Sequence, residues 1–198
     1  MRIYQKIIRE LDRAYIKFRG RIILPSVYFF RTLKYYLFLV DYKKKKQNKI
    51  SILCPSRERP NNLIRLIKNI NDFTKIHERV ELVVYVDNDD PLLMEYRQYY
   101  EDYNKIKNNI NYKLLIGEPK SVSKSWNDIA KLSIGDILIM GNDDCIFETK
   151  GWDQIVDVEV AKFPDKIFVM WFNDGLRAHM YGDFPIVSRE WYKILGYF

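Results

Sequence analysis

The sequence predicts an α/β fold: a mostly parallel sheet flanked by helices, preceded by a basic helical extension. Three observations carry this prediction. From residue 49 onward, short apolar runs alternate with segments of helical periodicity. The loops that follow three of those runs are crowded with charge. The positive charge of the chain is concentrated before residue 50, as if a separate segment carried it.

The chain has 198 residues, enough for one sizeable catalytic core. With 47% hydrophobic and 15% aromatic residues it has ample apolar surface to offset ordering entropy, which excludes a disordered chain. The formal charge is +7, but residues 1–49 hold 14 Lys and Arg against 3 Asp and Glu, whereas residues 50–198 hold 19 against 23. A nucleic-acid partner is therefore not expected, because an electrostatic footprint belongs on the folded domain that docks. Cys54 and Cys145 have no metal-ligand spacing and read as small buried hydrophobes in a reduced, cytoplasmic setting.

Residues 1–48 form the predicted extension. Ile3, Ile7, Ile8, Leu11, Tyr15 and Phe18 recur at helical spacing between basic residues. The apolar stretch 22–40 contains Pro25, Arg31 and Lys34, which argues against a membrane span. The lysine run 43–46 beside an aromatic-rich segment leaves two uses open. One is peripheral docking on an anionic membrane surface; the other is a helical hairpin followed by a solvated linker.

Residues 49–198 form the predicted core. Its apolar runs are 50–54, 81–86, 112–116, 136–140 and 167–171, and its helical segments are 62–73, 92–103, 123–132 and 151–162. Such a sheet binds ligands beyond the carboxyl ends of its strands. The loops there read Pro55-Ser56-Arg57-Glu58-Arg59-Pro60, Asp87-Asn88-Asp89-Asp90-Pro91 and Gly141-Asn142-Asp143-Asp144. No G-x-G-x-x-G or Walker A sequence occurs, so the usual phosphate cradles are absent. Carboxylates reach a phosphate through a divalent cation, and an oxygen-rich turn suits Mg²⁺ or Mn²⁺. Asp89-Asp90-Pro91 also fits a helix-capping turn. Two adjacent acids after a buried strand exceed what capping requires.

These loops, in this order, resemble those of the family 2 glycosyltransferases and their GT-A (Rossmann-like) relatives over residues 49–198. Residues 50–59 are similar to the family's opening strand and its Pro-Thr-Tyr/Arg-x-Arg loop. Residues 81–87 are similar to the second strand with its base-contacting acid. Ser125-Trp126-Asn127, eight residues before Gly135 counting from Asn127, resembles an Ala-Arg-Asn helix start, and Asn142-Asp143-Asp144 fills the DXD position.

The resemblance implies transfer of a sugar from a nucleoside-diphosphate sugar to an acceptor hydroxyl of a glycan, lipid or protein, metal-dependent and inverting. It implies a nucleotide-sugar site of Pro55, Ser56, Arg57, Arg59, Asp87, Asp89, Lys124, Asn127, Asn142 and Asp143. Asp144 is the implied ligand of Mn²⁺ or Mg²⁺, with His179 as a further one. Asp143 would then contact ribose or metal-bound water. Lys124 stands in for the family's arginine, because that position is Trp126. The general base follows the segment that 184–198 resembles, so the expectation is a fragment or a domain without the usual acceptor subdomain; Asp183 is the base candidate within the chain. A non-catalytic GT-A-like module that holds a nucleotide is the rival reading.

Overall fold

The computed structural model describes residues 47–106, 109–172 and 184–198. Of the predicted basic helical extension 1–48, residues 1–46 lie outside the described residues, as do His179 and Asp183. Gln47–Phe198 is one compact unit. Its elements are β1 (Ile50–Ser56), α1 (Pro60–Phe73), β2 (Val80–Asp87), α2 (Leu93–Tyr103), β3 (Asn111–Gly117), α3 (Val122–Leu132), β4 (Ile137–Met140), α4 (Trp152–Val160), β5 (Val169–Trp171), β6 (Pro185–Ser188) and α5 (Arg189–Leu195). Among the described residues no helix is long and apolar enough to cross a membrane.

The strands form one sheet in the order β3-β2-β1-β4-β6-β5. The pairs β1/β2, β1/β4 and β2/β3 are parallel, and β6 runs antiparallel to both β4 and β5. This is the predicted α/β class with a mostly parallel sheet. β6 and α5 were not among the predicted elements, and β5 is shorter than the predicted run 167–171. β6 is only four residues long and opens with Pro185, so neither alternation nor length marks it as a strand.

The two faces of the sheet follow strand alternation. Ile50, Ile52 and Cys54 of β1, with Leu82, Val84 and Val86 of β2, pack beneath α1, α2 and α4. Leu53, Val83, Tyr85, Leu138 and Met140 point the other way, onto Ile129 and Ala130 of α3 and Tyr192 of α5. β1, β2 and β4 are buried on both faces, which is why they read as continuous apolar runs.

Buried polar pairs lock the end of the sheet opposite the charged loops. Ser51 Oγ donates to Glu81 Oε1 at 2.5 Å and accepts from Gly135 N at 2.7 Å. A Cβ at Gly135 would sit 2.4 Å from Ser51 Oγ and 2.5 Å from Ser51 N, so only glycine allows this approach. The Arg189 guanidinium donates to the carbonyls of Ala130, Ser133 and Gly135, satisfying the C-terminal end of α3.

Arg79, in the short turn His77–Arg79 before β2, ties the start of that strand to α4. Its buried guanidinium pairs with Asp153 at 3.2 Å, with Asp157, and with the carbonyls of Asn48 (3.1 Å) and Asp153. Asp153 also accepts from Lys75 N at 2.9 Å, so both acids help define where α4 begins to pack. Removing one partner of a buried pair strands the other charge. Arg79→Ala is expected to lower the unfolding free energy of the full chain by about 3–5 kcal/mol, measured by urea denaturation.

Candidate active site

The strand order reverses between β1 and β4: β2 and β3 lie on one side of β1, and the later strands on the other. In open α/β sheets the ligand crevice opens at such a point. Pairing of β1 with β4 ends at Leu53 and Met140, closed by Gly141 N donating to Leu53 O at 2.9 Å. Pro55 lies two residues beyond Leu53, so its backbone also faces the β4 side, where that strand has already ended. The missing N–H of proline costs no ladder bond there, and β1 continues to Ser56 alongside β2.

Asp143 is fully buried at 0% exposure, while Asp144 beside it has a side chain 54% exposed. Ser56 Oγ donates to Asp143 Oδ2 at 2.6 Å. Because that proton is committed, the 2.8 Å contact between Ser56 Oγ and Tyr96 Oη has the tyrosine as donor. Tyr96 Oη in turn accepts from Arg59 N at 2.9 Å. One directed chain thus runs from the Arg59 backbone through Tyr96 and Ser56 to Asp143. Burial pushes the Asp143 carboxyl up, opposed by the Ser56 hydrogen bond and the Arg59 charge.

The second oxygen of Asp143 is differently placed. Oδ1 is buried and accepts no hydrogen bond. Arg59 Nη2 lies 3.1 Å from it, close enough for an ion pair but without hydrogen-bond alignment, and Arg59 Nη1 is 4.0 Å from Asp144 Oδ2. The turn itself is closed by Cys145 N donating to Asn142 O (3.3 Å) and Asn142 N donating to Cys145 Sγ (3.4 Å). Trp126 donates from Nε1 to Gly141 O at 3.3 Å and so braces the same turn.

On the other side of β1, Arg57 Nη1 bridges Asp87 (2.7 Å) and Asp89 (2.6 Å). The hydrogen bond from Arg57 holds the Asp89 carboxyl below its ordinary value, and the two acids raise the guanidinium further. Asp90 ties this loop to the first: Oδ2 accepts from Glu58 N at 2.7 Å and Oδ1 from Leu92 N at 2.8 Å. That second bond is an Asx-type turn rather than the helix cap predicted for this cluster: α2 starts at Leu93, its N-cap is Leu92, and no side chain caps it. Glu58 has φ 57°, a left-handed conformation unusual for a non-glycine residue, at the point where the loop turns toward α1.

The β1, β2 and β4 loops therefore bring Pro55, Ser56, Arg57, Arg59, Asp87, Asp89, Asn142, Asp143 and Asp144 to one rim. Ser56 faces inward, onto the acid and Tyr96. Lys124 is exposed in the first turn of α3. The Asn127 side chain is engaged locally, donating to Ser123 O at 2.7 Å and accepting from Phe198 N at 2.9 Å. Trp152 is buried in the core against Phe147 and Phe172.

Tyr96 escaped the sequence reading because it sits in a helix with Tyr99, Tyr100 and Tyr103 and shares their apolar spacing. Two further residues of the rim were also not singled out. Asn88 Nδ2 donates to Glu118 Oε1 at 2.6 Å. Lys120, raised by its hydrogen bond to Asp128, lies 4.9 Å from the centre of the Tyr85 ring. No motif spacing marks either one.

The donor set suits a hard divalent ion. Asp144 offers an exposed carboxylate, and the adjacent acid keeps an oxygen without a hydrogen bond. Among the described residues no group of three or more His, Cys, Asp or Glu gathers into a metal cage. One or two carboxylates completed by substrate phosphates and water is the usual arrangement for Mg²⁺.

The fold is similar to the GT-A scaffold of solved nucleotide-sugar transferases. Among solved structures, the mannosyltransferase PcManGT from Pyrobaculum calidifontis, in complex with GDP-Man and Mn²⁺, matches with a TM-score of 0.62 and 14% identity, over 87% of this chain and 56% of its own. TarS residues 1–349 of S. aureus, in complex with UDP-GlcNAc, matches at 0.59 and 17%, over 76% and 48%. A cytidylyltransferase from Leptospira borgpetersenii matches at 0.51 and 17%, over 75% and 63%. The chain spans about half the length of the first two. No protein-family model and no curated protein matches the sequence.

The raised Asp143 pKa has a sign that can be measured. The native state holds this proton more tightly than the unfolded chain, so stability falls as pH rises from the ordinary Asp value of about 3.9 through the elevated native one. In a pH series of thermal unfolding, wild type is expected to lose stability relative to Asp143→Asn across that window. Above it the difference should be constant.

Proposed function

We propose that this chain is a glycosyltransferase that moves a sugar from a nucleoside-diphosphate sugar to an acceptor hydroxyl, with inversion, using Mn²⁺ or Mg²⁺. The observation that carries the reading is the acidic turn at the strand-order reversal. There a fully buried Asp143 and an exposed Asp144 meet Arg59 from the β1 loop. The donors and ion in the similar structures, GDP-Man with Mn²⁺ in one and UDP-GlcNAc in the other, support the same classes for this chain.

Asp144 is the proposed metal ligand, with His179 as a second. An ion held there would act as a Lewis acid on the departing diphosphate. Asp143 fixes the turn and its field. Pro55, the Ser56 backbone, Arg57, Asp87 and Asp89 line the proposed nucleoside side, where acid oxygens accept from base or ribose. Asn142 and Asn127 border the donor, and Arg59 and Lys124 supply positive charge toward the phosphates. An inverting step needs a carboxylate near the acceptor oxygen, on the face opposite the diphosphate; Asp183 is the proposed base. The acceptor is a glycan, lipid or protein hydroxyl.

A second reading, a nucleotide-binding module without catalysis, is favoured by Asn142 standing where the first DXD acid would be. Turnover separates the two. The enzyme is expected to release nucleoside diphosphate from a donor sugar only with Mn²⁺ or Mg²⁺, and Asp144→Ala should lower kcat on the order of 100-fold or more, the scale of losing a transition-state electrostatic partner. Metal-dependent nucleotide binding without turnover across a broad donor and acceptor panel would establish the second reading instead.

We also propose that residues 1–48 dock the protein peripherally on an anionic membrane from the cytoplasmic side. The free thiols of Cys54 and Cys145 accord with a reduced compartment. Each basic residue near such a surface contributes about 1 kcal/mol. Replacing the lysines at 43–46 by glutamine should therefore weaken binding to phosphatidylserine vesicles sharply at low salt. Unchanged sedimentation with vesicles would remove the membrane role.

A further inference from the structure

Arg59 holds an unusual position for a residue that is to meet a phosphate. Its side chain is half exposed, yet its guanidinium rests on the buried Asp143 and on the proposed metal ligand Asp144, 3.1 Å from Asp143 Oδ1 and 4.0 Å from Asp144 Oδ2. Oδ1 is buried and accepts no hydrogen bond, so Arg59 is its charge partner without filling its hydrogen-bonding capacity. The Arg59 backbone is pinned: its N–H is held by Tyr96, and its carbonyl accepts from Asn62 and Leu63 at the start of α1. Only the side chain is free to leave.

We propose that Arg59 is the resident cation of the acidic turn: it occupies Asp143 and Asp144 when the site is empty, and moves onto the donor diphosphate when a divalent ion takes its place. The proposal rests on the function proposed above. Its physical basis is charge balance. A guanidinium and a divalent ion cannot share one acid pair without strong repulsion. A nucleoside diphosphate carries the negative charge that gives the displaced guanidinium a new bidentate partner.

Arg59 thereby makes metal and nucleotide binding mutually dependent. Each bound alone must either compete with the ion pair or leave it unbalanced, whereas together they exchange partners at little cost. By linkage, the factor by which nucleotide strengthens metal binding equals the factor by which metal strengthens nucleotide binding.

The test uses full-length protein with Mn²⁺ titrated by electron paramagnetic resonance, and with UDP, GDP, CDP and ADP titrated by calorimetry. Relative to wild type, Arg59→Gln should bind Mn²⁺ alone about tenfold more tightly and, at saturating Mn²⁺, bind the preferred nucleotide about tenfold more weakly, within the usual range of coupling factors. Arg59→Lys, which keeps a point charge without the bidentate fork, should retain the weak wild-type affinity for Mn²⁺ and lose part of the nucleotide affinity.

Opposite shifts in the two titrations are the signature, since a merely structural role would move both in one direction. Unchanged or weakened Mn²⁺ binding in Arg59→Gln overturns the proposal while leaving the nucleotide reading intact. Failure of all three proteins to bind any of the four nucleotides at any Mn²⁺ concentration overturns the functional reading and this inference with it.

Discussion

The hydrogen bond from Ser56 to Asp143 is the constraint on which the upper end of the molecule depends. A carboxylate with 0% exposure at the mouth of a crevice is costly unless its oxygens are met. Ser56 can meet one of them because β1 and β4 pair in parallel only as far as Leu53 and Met140 and then part. Three residues past each of those positions, the two chains come back together through side chains, Ser56 from one and Asp143 from the other. Tyr96 extends the link to α2, and the Arg59 N–H extends it to the start of α1. Two helices and two strands are thereby registered against one acid.

Charge is partitioned on either side of that link. Arg57 is committed to Asp87 and Asp89 on the outer side, with a side chain 42% exposed, so its pairs contribute little to stability and mainly orient the two acids. Arg59 serves the inner side. The same division of one acid between hydrogen bonds and an ion pair recurs at the opposite end of the sheet. Glu81 Oε1 accepts from Ser51 and Ile134, and Oε2 faces Lys113 at 2.8 Å, again without hydrogen-bond alignment. The distinction is that Lys113 has one acid to serve, whereas Arg59 is shared between a buried acid and an exposed one. A cation divided in this way is the easier to displace.

The sheet was legible because its central strands β1, β2 and β4 are buried on both faces, and runs such as Leu82-Val83-Val84 need no alternation to declare themselves. The loops were legible because charged residues cluster where strands end. Other features depend on tertiary contacts that no local pattern encodes. Pro55 suggested that β1 had already stopped, yet β1 runs on because the neighbour that would have needed its N–H is gone. The resemblance implies a donor contact for Asn127, but not that its amide meets Ser123 and the backbone of Phe198, contacts visible only once the chain has folded back. Tyr96 belongs to the candidate site through a single hydroxyl, and nothing in its helix distinguishes it from the other tyrosines.

Adjacency of the two acids was plain in the sequence, but which of them turns inward was not, and the answer changes how the turn works. In Asn142-Asp143-Asp144 the middle residue is the buried one, held by Ser56, while Asp144 reaches solvent. Asn142 contributes its backbone, which closes the turn with Cys145. Losing an acid at the first position therefore removes no group on which the shape of the turn depends. The turn retains one buried carboxylate and one exposed one. Solved structures of the same scaffold include sugar transferases and a cytidylyltransferase, so the scaffold does not choose the reaction. That choice lies with the side chains that line the crevice, and in this chain the cation paired with both acids of the turn is Arg59.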